Sequence, residues 1–88
     1  MTVPEANQLS NTAMGLINAG RPKEAIPPLR QALEMDCIND LYWHNMGVAA
    51  EDTSQFELAI RCYRRAVQFS KGKNKDSAFN LKRLGGKR

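Results

Sequence analysis

The stretch Glu57-Leu58-Ala59-Ile60-Arg61-Cys62-Tyr63-Arg64-Arg65-Ala66-Val67 decides how this chain is read. Its residues Ala59, Ile60, Tyr63, Ala66 and Val67 recur at the spacing of one helical face. Earlier in the chain, Ala25, Ile26, Leu29, Ala32 and Leu33 repeat that pattern, each 34 residues before its counterpart. The helices that precede these two stretches align at the same offset of 34, pairing Leu9 with Trp43, Ala13 with Gly47 and Leu16 with Ala50. Apart from Leu16 with Ala50, small residues match small and large match large. The physical cause is packing: small side chains let two helices of a hairpin approach closely, and large ones fill the space between hairpins.

Working outward, the remaining helices and their ends follow. The first carries Leu9, Ala13, Leu16 and Ile17, with Thr2 and Glu5 as a capping box and Pro4 in the first turn. Gly20 stops it. The second starts near Pro22 and ends around Met35-Asp36. Pro27 and Pro28 each remove an amide donor, so this helix is expected either to kink there or to begin in earnest at Pro27. The third opens at Asn39 or Asp40, carries Trp43, Met46, Gly47 and Ala50, and breaks at Asp52-Thr53-Ser54. Ser54 and Glu57 predict a capping box for the fourth. Lys71-Gly72-Lys73-Asn74 reads as a turn, and a short fifth helix carries Ala78, Leu81 and Leu84 before Gly85-Gly86. No alternating strand pattern stands out. The fold class is all-α, an antiparallel helix-hairpin solenoid of five helices.

A helix–turn–helix unit of 34 residues resembles the tetratricopeptide repeat. Trp43-His44-Asn45-Met46-Gly47 is similar to the W-x-N-L-G opening of that family, and Glu57-Leu58-Ala59-Ile60 with Tyr63 and Ala66-Val67 to its second helix. Gly20-Arg21-Pro22-Lys23-Glu24-Ala25-Ile26, then Leu29 and Ala32-Leu33, repeats the second-helix pattern one unit earlier. The resemblance divides a single domain, 1–88, into a first repeat 5–37, a second repeat 39–71, a capping helix 74–84 and a basic tail 85–88. The chain departs from the family where Cys37 and Lys71 replace the proline that commonly ends a repeat, where Leu9 and Thr12 replace Trp and Leu, and at Pro27-Pro28. About three repeats are usual for a stable array. Two repeats and a cap therefore imply self-association or membership of a longer chain.

Composition is that of a globular protein, 42% hydrophobic and 25% charged. No run nears the roughly 20 apolar residues of a membrane span. Met1-Thr2-Val3-Pro4-Glu5 lacks signal-peptide features, so a cytoplasmic location is expected. Two cysteines, Cys37 in a loop and Cys62 mid-helix, are too few for a disulfide scaffold and are expected as free thiols. Charge is uneven: residues 1–60 hold three basic and eight acidic side chains, net −5, and residues 61–88 hold ten basic and one acidic, net +9. Such asymmetry points to an interaction surface or an acidic partner.

No catalytic constellation stands out. His44 is the single histidine, and with the two cysteines and scattered carboxylates it forms no ligand set of known spacing, so no metal or cofactor is expected. On this reading the chain is not an enzyme. The resemblance implies a concave groove lined by first helices of the repeats, carrying Asn7, Ser10, Met14, Ile17, Leu41, His44, Asn45, Val48, Glu51, Asp52, Lys75 and Lys82. Ordinary packing is the alternative reading of Leu41 and Val48. Some members clamp a carboxylate terminus; Asn45 and Lys75 fit that clamp, but Ser10, Met14 and Phe79 do not. Met14, Ile17, Leu41 and Val48 suit an apolar peptide or an amphipathic helix. The expected function is thus an adaptor, scaffold or chaperone-like module that binds another protein. A basic patch of Arg61, Arg64, Arg65, Lys71 and Lys73, extended by Lys75, Lys82, Arg83, Lys87 and Arg88, is either a solvated face or a site for an acidic partner or nucleic acid. Nucleic acid is the less favoured, because aromatic side chains do not alternate with these charges. A weak homo-oligomer, the acidic segment of one copy meeting the basic segment of another, is the reading weighed against a monomer.

Overall fold

A computed structural model describes residues 4–85. Five helices follow in order: α1 Pro4–Asn18, α2 Pro22–Met35, α3 Asp40–Asp52, α4 Phe56–Phe69 and α5 Lys75–Arg83. No strand occurs among the described residues. The architecture is an all-α array of helix hairpins, as the periodicity predicts. Each helix packs on its neighbours in the chain, and α1 also touches α3. One layer therefore holds α1 and α3, with α5 tied onto α3 by side chains, and a second layer holds α2 and α4. Among the described residues no helix is long and apolar enough to cross a membrane.

Small residues set the spacing. Ala13, Ala25, Ala32, Ala59 and Ala66 are fully buried. Gly47 meets Tyr63 most closely of all: a Cβ on Gly47 would lie 2.6 Å from Tyr63 Cε1 and 2.7 Å from Cδ1. Tyr63 is itself fully buried. In the first hairpin the counterpart positions hold Ala13 and Leu29, both buried in one cluster. The larger ring thus goes with the smaller partner. Leu81 and Leu84 pack on Ala50, Ala59 and Tyr63, which seats α5 on the second hairpin.

The helix ends repeat as well. After α1, Gly20 takes φ +80°. Its N–H bonds to Ile17 O at 3.0 Å, and the N–H of Arg21 bonds to Leu16 O at 2.8 Å. These are the paired bonds of a Schellman motif. After α3, Ser54 takes φ +64°. Its N–H bonds to Glu51 O at 3.0 Å, and that of Gln55 to Ala50 O at 2.8 Å. The Ser54–Glu57 capping box is therefore corrected: Ser54 closes α3 in a left-handed conformation, and Gln55 caps α4 without a side-chain bond. The left-handed stop and the extended backbone of a capping serine are incompatible at one residue. Lys71 repeats the stop after α4 at φ +56°. Asn39 caps α3 and Asn74 caps α5, their side chains accepting from Leu41 N and Ser77 N at 3.0 Å each. The expected Thr2–Glu5 box and the Gly86-Lys87-Arg88 end of the tail lie outside the described residues.

Helix α2 runs through Pro27 and Pro28 from Pro22 onward, so the later start at Pro27 is not adopted. The two prolines lie in the second turn and orphan the carbonyls of Lys23 and Glu24, whose side chains are exposed, so water can replace the missing donors. Arg21 and Glu24 form a bidentate ion pair at 2.8 and 2.7 Å over this start.

Candidate partner-binding face

The layer of α1, α3 and α5 carries the predicted groove residues, and the structure separates them into two groups. One group is spent on joining the helices. Asn45 donates through Nδ2 to Ser10 Oγ at 2.9 Å, linking α3 to α1. Ser10 is 4% exposed, so its place as a groove-lining residue is corrected: it is a buried tie. His44 Nδ1 lies 2.6 Å from Ser77 Oγ on α5. Burial lowers the His44 pKa, against the opposing fields of Asp76 and Asp40, so the neutral ring is favoured. Glu51 accepts from the Tyr63 hydroxyl at 2.9 Å and from Arg83 at 2.6 Å. Burial, then the Glu51 carboxylate, pushes the Tyr63 hydroxyl well above its ordinary range. Ile17 and Val48 are half-buried against the core clusters.

The other group remains available. Asn7, Leu41, Asp52, Lys75 and Lys82 are exposed, and Met14 is half-buried. Leu41 is 58% exposed. It lies with Lys75 in an open cleft of about 500 Å³ that also takes in Asp40, Ser70, Lys73, Asn74 and Asp76. Asn74 donates to Asp40 Oδ2 at 2.9 Å across this cleft, fixing the start of α5 against that of α3. Sequence reasoning left Phe79 out of the groove. At 67% exposure it is the most exposed large apolar side chain among the described residues. Its spacing from Lys75 and Lys82, four residues one way and three the other, puts all three on one face of α5. The cue was present in the fifth helix, whose Phe79, Leu81 and Leu84 cannot all point inward; the structure turns the two leucines in and leaves Phe79 out.

The face so built offers apolar Leu41 and Phe79 together with charged Asp52, Lys75 and Lys82. Such a surface can take up a polypeptide by apolar contact flanked by polar groups. The chain resembles part of a larger protein. It is 34% identical over 59 residues to a probable UDP-N-acetylglucosamine–peptide N-acetylglucosaminyltransferase, SPINDLY, of Oryza sativa subsp. japonica. The match spans 67% of this chain and 6% of that protein. No family model matches. The expectation that the chain is not an enzyme is corrected by this finding, since the relative is by name a transferase. The shared stretch is a small part of that protein, and it does not show enzymatic activity here.

The basic patch also divides. Arg61, Arg64 and Arg65 line one cleft with Gln68 on α4. Lys71 is exposed in the turn beyond, and Lys73 faces the Asp40–Asp76 cleft instead. Cys37 and Cys62 are both free, the first exposed and the second buried. Burial pushes the Cys62 thiol up to about 11.

Proposed function

We propose that this chain is a tetratricopeptide-type interaction module that binds a peptide or an amphipathic helix along the face of α1, α3 and α5. The observation that carries the reading is the exposure of Leu41 and Phe79 on helices otherwise stitched together by buried polar ties. Those ties hold the face rigid, and a preformed apolar surface lowers the ordering cost of binding. The repeat assignment, 5–37 and 39–71 with a cap at 74–84, is supported by the common offset of 34, by the matching left-handed stops at Gly20 and Ser54, and by the Gly47–Tyr63 contact. Resemblance to part of a larger protein fits a module that serves as one segment of a binding surface. Asn7, Met14, Leu41, Asp52, Lys75 and Lys82, with Phe79 added, are the residues we assign to partner contact. Affinity capture with the wild-type chain and with Leu41→Glu/Phe79→Glu, read by mass spectrometry, tests this. A partner retained by the first and lost from the second supports the face; equal retention refutes it.

A further inference from the structure

The other layer carries a second surface that the proposed peptide face does not use. Between α2 and α4, over α3, runs an apolar groove of about 380 Å³ lined by Leu33, Trp43, Met46, Leu58 and the two cysteines, with Arg30 and Glu34 on its α2 wall. Beside it on α4 is the cleft of about 370 Å³ formed by Arg61, Arg64, Arg65 and Gln68. The two are joined at Trp43: the Arg65 guanidinium sits 5.9 Å from the centroid of that ring. All three α4 arginines are exposed. Among the described residues the ion pairs are Arg21–Glu24 and Arg83–Glu51, so none of the three has an acidic partner within the chain. Like charges three and four residues apart repel along a helix, and the one acidic side chain on α4, Glu57, makes no ion pair with any of the three. Arginine, with its planar fork of donors, is the residue suited to gripping carboxylates in pairs.

We propose that the α2–α4 layer docks an acidic polypeptide segment whose carboxylates pair with Arg61, Arg64 and Arg65 and whose adjacent bulky apolar side chain enters the groove beside Trp43. The difference between the two walls sets the direction: Glu34 lies on the α2 side. With Arg30 beside it the α2 wall has no net charge, whereas the α4 wall carries three arginines, so the acidic part lies over α4 and the anchor points toward Leu33, Met46 and Leu58. An acidic protein suits this pairing better than nucleic acid does. The one aromatic ring in the groove is half-buried and already has Arg65 over it, which leaves no platform for stacking bases.

Trp43 is the single tryptophan, so its emission reports occupancy of the groove directly. The probe is a short Glu/Asp-rich peptide with one central Phe and no Trp, titrated into the full chain. Saturable binding with a change in Trp43 emission is expected, weakening as salt rises. Replacing the Phe of the peptide by Ala should weaken binding about tenfold or more. The variant Arg61→Glu/Arg64→Glu/Arg65→Glu, its helicity checked by circular dichroism, should weaken it by more than about tenfold. Unchanged affinity in that variant, or an equal affinity for the Ala peptide, overturns the inference. So does tighter binding of a single-stranded oligonucleotide that displaces the peptide. Loss of binding in Leu41→Glu/Phe79→Glu would place the peptide on the other layer, overturning this inference while leaving the proposed function standing.

Discussion

Replacing Gly47 by alanine puts two effects in direct opposition. Gly47 is helical, so alanine there gains about 1 kcal/mol of backbone propensity. The added Cβ would meet Tyr63 at 2.6, 2.7 and 3.0 Å. Ordinary carbon–carbon contact lies near about 3.5 Å, so the ring must retreat by roughly 1 Å. It has little freedom to do so. Tyr63 is fully buried, and its hydroxyl is held at 2.9 Å by Glu51, which Arg83 holds in turn. Overpacking in such a site costs about 1–3 kcal/mol. Because the collision is with ring atoms and not a flexible tip, the upper part of that range applies, and a net loss of about 1–2 kcal/mol is expected. For a domain of this size that lowers Tm by roughly 4–16 °C. Adding Tyr63→Leu recreates the Ala13–Leu29 pair of the first hairpin. The double variant should therefore be more stable than the two single losses summed, by about 1 kcal/mol or more. Thermal and urea melts of the four proteins give the result. A Gly47→Ala chain more stable than wild type, or strict additivity in the cycle, would refute the close contact and the alignment of the hairpins.

Three further outcomes follow from the same structure. Ser54→Gly relieves a left-handed serine at φ +64° and should raise stability by about 1 kcal/mol, read as a higher urea midpoint with unchanged slope. The folded-state pKa of His44 is lowered, chiefly by burial, from an unfolded value of about 6.5. The unfolded chain therefore binds more protons just below that value: stability should be full above pH about 6.5 and fall as pH drops below it, and the fall should shrink in His44→Gln. A thiol reagent at neutral pH should titrate the exposed Cys37 at once and the buried Cys62, with its thiol pushed up to about 11, only on unfolding; equal rates in the native protein would contradict the packing of α4.

The helices were legible because the apolar face of α4 repeats that of α2 at an offset of 34, whereas the contact of Gly47 with Tyr63 is seen only in the packed fold. Helix ends were legible where chemistry and conformation coincide, as at Gly20 and at Asn39, read there as one of two candidate caps with Asp40; Asn74, read as part of a turn, caps α5. Ser54 was misread because Ser-x-x-Glu is a capping pattern, and nothing local reveals that the preceding helix claims the serine for its own stop. The groove was legible only as a face. The family resemblance places Ser10, His44 and Asn45 on it but cannot say that their side chains turn to Asn45, Ser77 and Ser10. Those bonds depend on how far α1, α3 and α5 rotate against one another, which is set by distant packing. The same rotation turns Leu81 and Leu84 inward and exposes Phe79. Uneven charge along the chain was plain from composition. That three arginines share a cleft on α4 while Lys73 faces acidic groups elsewhere is a property of the fold.

The central claim is that a polypeptide docks on the face of α1, α3 and α5. Once capture has supplied a partner segment, isothermal titration of that segment into wild type and into Leu41→Glu/Phe79→Glu tests the claim most directly. Both substituted side chains are more than half exposed, so the variant should keep its helical circular dichroism and its melting temperature within a few degrees. Each lost apolar contact should weaken binding, together by about tenfold or more. A folded variant that binds the segment as tightly as wild type would contradict the account.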